Sequence, residues 1–124
     1  MDKPRILLVD DEPSILKVVG KRLELAGFTV MTASDGQQAL QVAQTQNPDL
    51  VILDLMLPKQ NGYEVCAALK ADARWRHIPV MLFSAKAQQK DEQTGMASGA
   101  DAYMTKPFKA EELLERIQSL LKAN

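Results

Sequence analysis

Five polar side chains stand where short apolar runs end. Asp10 and Asp11 follow Ile6-Leu7-Leu8-Val9, Asp54 follows Leu50-Val51-Ile52-Leu53, Ser84 follows Val80-Met81-Leu82-Phe83, and Lys106 closes the run Ala102-Tyr103-Met104. In an open α/β sheet these groups meet in the crevice at the carboxyl ends of the strands, where such sheets bind ligands. Three carboxylates brought to one edge repel, and unpaired they raise one another's pKa. A hard divalent cation relieves that repulsion. Mg²⁺ takes oxygen ligands, keeps several waters, and is commonly held by one or two carboxylates plus a phosphate. A lysine and a hydroxyl beside such an ion complete a cradle for a tetrahedral anion. The set therefore suits phosphoryl chemistry, which needs mainly positioning and charge stabilisation.

An alternation of short apolar runs and longer amphipathic stretches, repeated five times, carries these groups. The runs cover 6–9, 28–33, 50–53, 80–83 and 102–104. Those at 6–9, 50–53 and 80–83 are continuously apolar, which suits strands of a parallel sheet buried on both faces. The run 28–33 mixes threonine with apolar residues and suits a strand near an edge. Between them, Pro13 fits the first turn of a helix with Ile15, Val19 and Leu23 on one face, and Gly27 stops it. Ser34 or Asp35 caps a second helix with Ala39, Leu40 and Ala43 inward, broken at Asn47-Pro48-Asp49. Gly62, Val65, Cys66 and Leu69 mark a third inward stripe. A fourth stretch, 87–97, is polar and predicts a weakly anchored helix. The fifth has Glu111 and Glu112 at its start, Leu113, Ile117, Leu120 and Leu121 on one face and Lys122 at its end, charges that complement the helix dipole. Strand–helix alternation of this kind implies right-handed crossovers with helices on both faces of one sheet.

Composition excludes several classes. The chain has 124 residues, 46% of them hydrophobic and 25% charged, as ordinary globular domains do. That length supports one domain, 1–124, able to bury roughly two thirds of its unfolded surface without disulfides or structural metal. Fifteen basic against 16 acidic residues give a formal charge of −1, a poor balance for direct nucleic-acid binding. With one cysteine, Cys66, an intramolecular disulfide is impossible and a reducing, cytoplasmic compartment is the simpler reading. The first apolar run is too short for a signal-peptide core or a membrane span.

Four segments, Val9-Asp10-Asp11-Glu12-Pro13, Asp54-Leu55-Met56-Leu57-Pro58 followed by Gly62, Phe83-Ser84-Ala85, and Lys106-Pro107-Phe108, resemble the signatures of receiver domains from two-component response regulators. Each is weak alone; in this order at successive strand ends they are specific, and the resemblance covers 5–121. It implies a doubly wound (βα)5, flavodoxin-like three-layer sandwich with a parallel sheet of order 2-1-3-4-5. It further implies that Asp54 is the phosphoacceptor for a sensor histidine kinase or phosphotransfer protein. Mg²⁺, with Mn²⁺ as a substitute, would be held by Asp11, Asp54 and the Met56 backbone carbonyl, and by Asp10 through water. Lys106 would pair with the phosphoryl oxygens, Ser84 would hydrogen-bond them, and Ala85 is the small residue usual beside the site. Tyr103 would swing as an aromatic switch, and Lys106-Pro107 matches a bond that is usually cis. A downstream protein would read the fourth helix, fifth strand and fifth helix, with the chain a monomer or a phosphorylation-dependent dimer. Met56 and Lys86 stand at positions flanking the attacking water and suit it poorly, which predicts slow dephosphorylation.

Taken singly, the residues have blander readings. Asp10 to Glu12 alone would be a helix cap, Asp54 a structural carboxylate and Tyr103 a half-buried core residue. Their joint occurrence with Lys106 and Ser84 reverses that weighting. Cys66 fits as a small buried hydrophobe, His77 as a loop residue, and Arg74-Trp75-Arg76-His77 as a solvated loop with a packed tryptophan or a partner contact. A phosphohydrolase of the haloacid dehalogenase type would want a carboxylate where Met56 stands and more chain for a cap. A nucleotide- or flavin-binding module would want a glycine-rich phosphate loop, which is missing. A receiver cut from a longer regulator or hybrid kinase would share the same chemistry; the expectation from length is a chain without an output domain.

Overall fold

The computed structural model describes residues 3–58, 61–84, 99–106 and 108–122. Ala85, Lys86, the helix expected over 87–97 and Pro107 lie outside the described residues. Five strands, β1 (Arg5–Val9), β2 (Thr29–Ala33), β3 (Leu50–Asp54), β4 (Val80–Ser84) and β5 (Ala102–Thr105), form one parallel sheet in the order β2-β1-β3-β4-β5. The described helices are α1 (Pro13–Leu25), α2 (Gly36–Gln46), α3 (Gly62–Ala71) and α4 (Ala110–Lys122), the last being the fifth helical stretch of the sequence. The expected doubly wound architecture and strand order are both present.

Side chains alternate across the central strands with period two, and each face has its own core. Leu7, Val9, Val51, Leu53, Val80 and Leu82 pack with Ala39 and Ala43 of α2 and Val65, Cys66 and Leu69 of α3. Ile6, Leu8, Leu50, Ile52, Met81 and Phe83 pack with Leu23 of α1 and Leu113 and Ile117 of α4. β3 and β4 are buried along their whole length, as their unbroken apolar runs require, while β2 at one edge is largely open.

The ends of the elements differ from expectation in informative ways. β3 and β4 each run one residue further, so Asp54 and Ser84 are the last residues of their strands rather than the first beyond them. The ladder continues because Asp54 is in register with Phe83 and Ser84 with Thr105, and the Leu55 N–H donates to the Phe83 carbonyl at 3.1 Å. Phe28 is buried but precedes β2; its N–H closes the end of α1 on the Leu23 carbonyl, with Gly27 at φ +101° making the turn. Asp35, not Ser34, caps α2, its carboxylate accepting from the Gln38 N–H at 2.8 Å. Asn47 ends the helix in the left-handed conformation. Trp75 is buried in the α2–α3 side of the core with the Arg74 guanidinium 4.1 Å above its ring centre, so that loop is anchored by its tryptophan. No helix among the described residues is long and apolar enough to cross a membrane.

Candidate functional site

The strand ends assemble the site. Asp10 leaves β1 with its N–H on the Ala33 carbonyl of β2, and its side chain is fully buried. Its Oδ1 accepts from the Glu12 N–H at 2.9 Å, which turns the chain into α1. Asp54, two strands' width from the β2 edge, is also buried, and its Oδ1 accepts from the Met56 N–H at 3.2 Å. Lys106 arrives from the end of β5, fixed by its N–H to the Ser84 carbonyl at 2.6 Å. Its Nζ then donates to Asp10 Oδ2 at 2.9 Å and Asp54 Oδ2 at 3.3 Å. Residues 96 and 52 positions apart in sequence thus share one ammonium. The same Nζ lies 4.5 Å from the Phe83 ring centre, a cation–π contact that walls it from the core.

Charge at this edge is finely opposed. Burial is the largest influence on Asp54 and pushes its carboxyl above the ordinary range; the Met56 N–H and Lys106 pull it down, and Asp10 pushes it up. For Lys106, burial favours the neutral amine, but the Asp10 hydrogen bond and the charges of Asp54 and Asp10 outweigh it, so the ammonium is held above its usual pKa. The lysine is therefore a resident cation balancing two buried carboxylates.

On the solvent side, Asp10, Asp11 and Glu12 present carboxylate oxygens within 4.8 Å of one another, Asp11 and Glu12 being exposed. An all-oxygen set of this kind fits a hard divalent cation that retains waters. Glu12 was not among the expected ligands; its signal was only that it is the third consecutive acid of the β1–α1 junction. Ser84 is buried at the end of β4, beside Asp54's strand. Tyr103 is half-buried on β5, packing toward the α2–α3 core and bordering a surface groove with Glu112, Glu115 and Arg116 of α4. Met56 meets Asp54 through its N–H, and the residue is 75% exposed.

The Asp54 turn is held from behind by α3. Asn61 and Glu64 form a reciprocal capping box at its start, and the Gly62 N–H donates to the Leu55 carbonyl at 3.0 Å. A Cβ on Gly62 would stand 2.6 Å from the Asp54 carbonyl oxygen, so only glycine lets the helix approach so closely.

Comparison with known proteins agrees with this geometry. Residues 6–118 match the sequence profile of the response regulator receiver domain. The DNA-binding dual master transcriptional regulator RpaA of Synechocystis sp. is 47% identical over 119 residues, covering 96% of this chain and 49% of that protein. The alkaline phosphatase synthesis transcriptional regulatory protein PhoP of Bacillus subtilis is 44% identical over 118 residues, 95% of this chain and 48% of that protein. The chain thus spans about half the length of these curated relatives. Among solved structures, the receiver domain of sensor histidine kinase PA1611 from Pseudomonas aeruginosa, with a magnesium ion coordinated in its active site cleft, superposes with a TM-score of 0.91 at 31% identity, covering 98% of this chain and 99% of that one. Chemotaxis protein CheY4 of Vibrio cholerae gives 0.91 at 33% identity, covering 96% and 99%. With residues 6–118 matching the family profile and nearly its whole length superposing on a known receiver fold, the chain belongs to the response regulator receiver domain family.

Proposed function

We propose that Asp54 accepts a phosphoryl group from a phosphohistidine on a sensor histidine kinase or phosphotransfer protein. The observation that carries this reading is the convergence of Asp54 and Asp10 on the Lys106 ammonium, a balanced pair of buried carboxylates at the mouth of the sheet. In the transfer, an Asp54 Oδ attacks phosphorus, the P–N bond to imidazole breaks, and an aspartyl phosphate remains. Lys106 exchanges part of its carboxylate pairing for the phosphoryl oxygens, and the Ser84 hydroxyl donates to another. Burial leaves the Asp54 carboxylate poorly solvated and so better disposed to attack.

Mg²⁺, or Mn²⁺ in its place, would be held by Asp11, Asp54 and the Met56 carbonyl, with Asp10 through water and Glu12 at the rim. Bound there it supplies charge stabilisation for the transferring group. A phosphoryl group adds about one and a half to two negative charges. Ser84 and Lys106 respond to that charge at the ends of β4 and β5, Tyr103 follows, and the surface of the 87–97 segment, β5 and α4 is read by a downstream protein. The chain works in the cytoplasm as a receiver unit, a monomer or a phosphorylation-dependent dimer, with no direct nucleic-acid or membrane contact of its own. Met56 and Lys86 leave the attacking water unassisted, so the phosphoryl group is lost slowly.

The test is incubation with a small phosphodonor and Mg²⁺ followed by intact mass. One phosphoryl adduct is expected, abolished by EDTA and by Asp54→Ala. An adduct that survives Asp54→Ala moves the acceptor elsewhere.

A further inference from the structure

Among the described residues the large hydrophobic side chains most open to solvent are Val18, Leu25 and Met56, and only Met56 carries an oxidisable atom. The other described methionines are sheltered: Met81 is fully buried, Met104 is 8% exposed, and Met31 is packed against the core. Met56 is also two residues from Asp54 and bonded to its carboxylate through the backbone. The turn between them is fixed at both sides, by the Leu55 N–H on Phe83 and by the Gly62 N–H on Leu55. A chemical change in the Met56 side chain therefore occurs on a backbone position held beside the site.

We infer that Met56 is an oxidation site through which a hydroperoxide shortens the life of the phosphoryl group on Asp54. The inference rests on the phosphoacceptor reading given above. In the step, a sulfur lone pair attacks one peroxide oxygen. The S–O bond forms as the O–O bond breaks, and hydrogen peroxide leaves as water after proton transfer. Sulfur is oxidised by two electrons and the peroxide is reduced by two. A thioether is a weak acceptor, whereas the sulfoxide is polar with an oxygen that accepts strongly. That oxygen, beside an aspartyl phosphate, orients a water for attack on phosphorus, a function the unmodified side chain lacks. Met56 is open to solvent and belongs to neither core, so its modification leaves the packed interior in place.

The experiment treats the full chain with dilute hydrogen peroxide, removes it, maps oxygen addition by peptide mass, and then loads the protein with a small phosphodonor and Mg²⁺ to follow adduct decay. Met56 gains one oxygen ahead of Met31, Met81 and Met104. The phosphoryl half-life falls by about two- to tenfold, the factor that one ordinary hydrogen bond supplies. In Met56→Leu the half-life, whatever its starting value, is the same before and after peroxide, and untreated Met56→Gln decays faster than untreated Met56→Leu. Oxidation that spares Met56, an unchanged half-life once Met56 is oxidised, or an equal peroxide effect in Met56→Leu overturns the inference. Failure of the untreated chain to take an adduct on Asp54 shows itself before any oxidation and overturns the phosphoacceptor reading, and this inference with it.

Discussion

Lys106→Met keeps most of the side-chain stem and removes only the ammonium that Asp10 and Asp54 share. Nζ is 2.9 Å from Asp10 Oδ2 and 3.3 Å from Asp54 Oδ2, with the Asp10 side chain fully buried and that of Asp54 8% exposed. Among the described residues a backbone donor remains to each carboxylate, Glu12 N–H for Asp10 and Met56 N–H for Asp54. Breaking a buried ion pair from one side costs about 3–5 kcal/mol. Lys106 keeps 17% exposure and Asp11 and Glu12 are open to water, so about 2–4 kcal/mol is expected here. For a domain of this size that lowers Tm by roughly 10 °C. The measurement is urea unfolding in EDTA at neutral pH, repeated on Asp10→Asn and on the double variant. Because the loss comes from an unpaired buried charge, Asp10→Asn restores a large part of it in the Lys106→Met background. The loss also shrinks as pH falls and Asp54, whose carboxyl burial pushes above the ordinary range, takes up its proton. A Lys106→Met protein as stable as wild type in EDTA, or one that Asp10→Asn does not rescue, refutes the reasoning.

Three further outcomes follow from the same geometry. Gly62→Ala drives a Cβ to 2.6 Å from the Asp54 carbonyl oxygen and 2.9 Å from Leu55 Cα. Since both are backbone atoms, α3 or the Asp54 turn must shift, costing about 1–3 kcal/mol in denaturant unfolding and slowing adduct formation. Gly20→Ala lies mid-helix with ordinary contact to Val30 Cγ1 at 3.8 Å, and should stabilise the chain by about 0.5–1 kcal/mol without altering phosphorylation. Asp54→Asn should raise Tm in EDTA at neutral pH. The folded state holds the Asp54 proton more tightly than the unfolded chain does, so ionisation costs stability as pH rises through the carboxylate range. The gap between variant and wild type therefore closes in acid, and a gap that widens there contradicts the burial argument.

The strands were legible because burial on both faces leaves an unbroken apolar run, as in Leu50-Val51-Ile52-Leu53, and the open β2 showed its threonines. Helix faces were legible from spacing: Val65, Cys66 and Leu69 are all buried. Asp10, Asp54 and Lys106 were marked by standing at strand ends and were expected to meet there; the direct ion pairs of Lys106 with both carboxylates were not legible, since they depend on how the ends of β1, β3 and β5 align across the sheet. The last residue of a strand is set by its neighbour's hydrogen bonds, so Asp54 and Ser84 looked like loop residues and are in the ladder. The Asn61–Glu64 capping box does carry a local signal, an Asn three residues before a Glu at the head of the Val65, Cys66 and Leu69 stripe. Lys70, an ordinary helix-end lysine in sequence, braces the sheet's other end through the Arg76 and Ile78 carbonyls and Asp101.

Chemical trapping reads the acceptor atom itself. The chain is phosphorylated by a histidine-phosphorylated donor protein with Mg²⁺, reduced with borohydride, digested and sequenced by mass. An acyl phosphate is cleaved by hydride to the alcohol, so homoserine should appear in place of Asp54 and at no other acid. Homoserine at Asp10 or Asp11 instead, or phosphate retained on a side chain that borohydride does not reduce, would contradict the assignment.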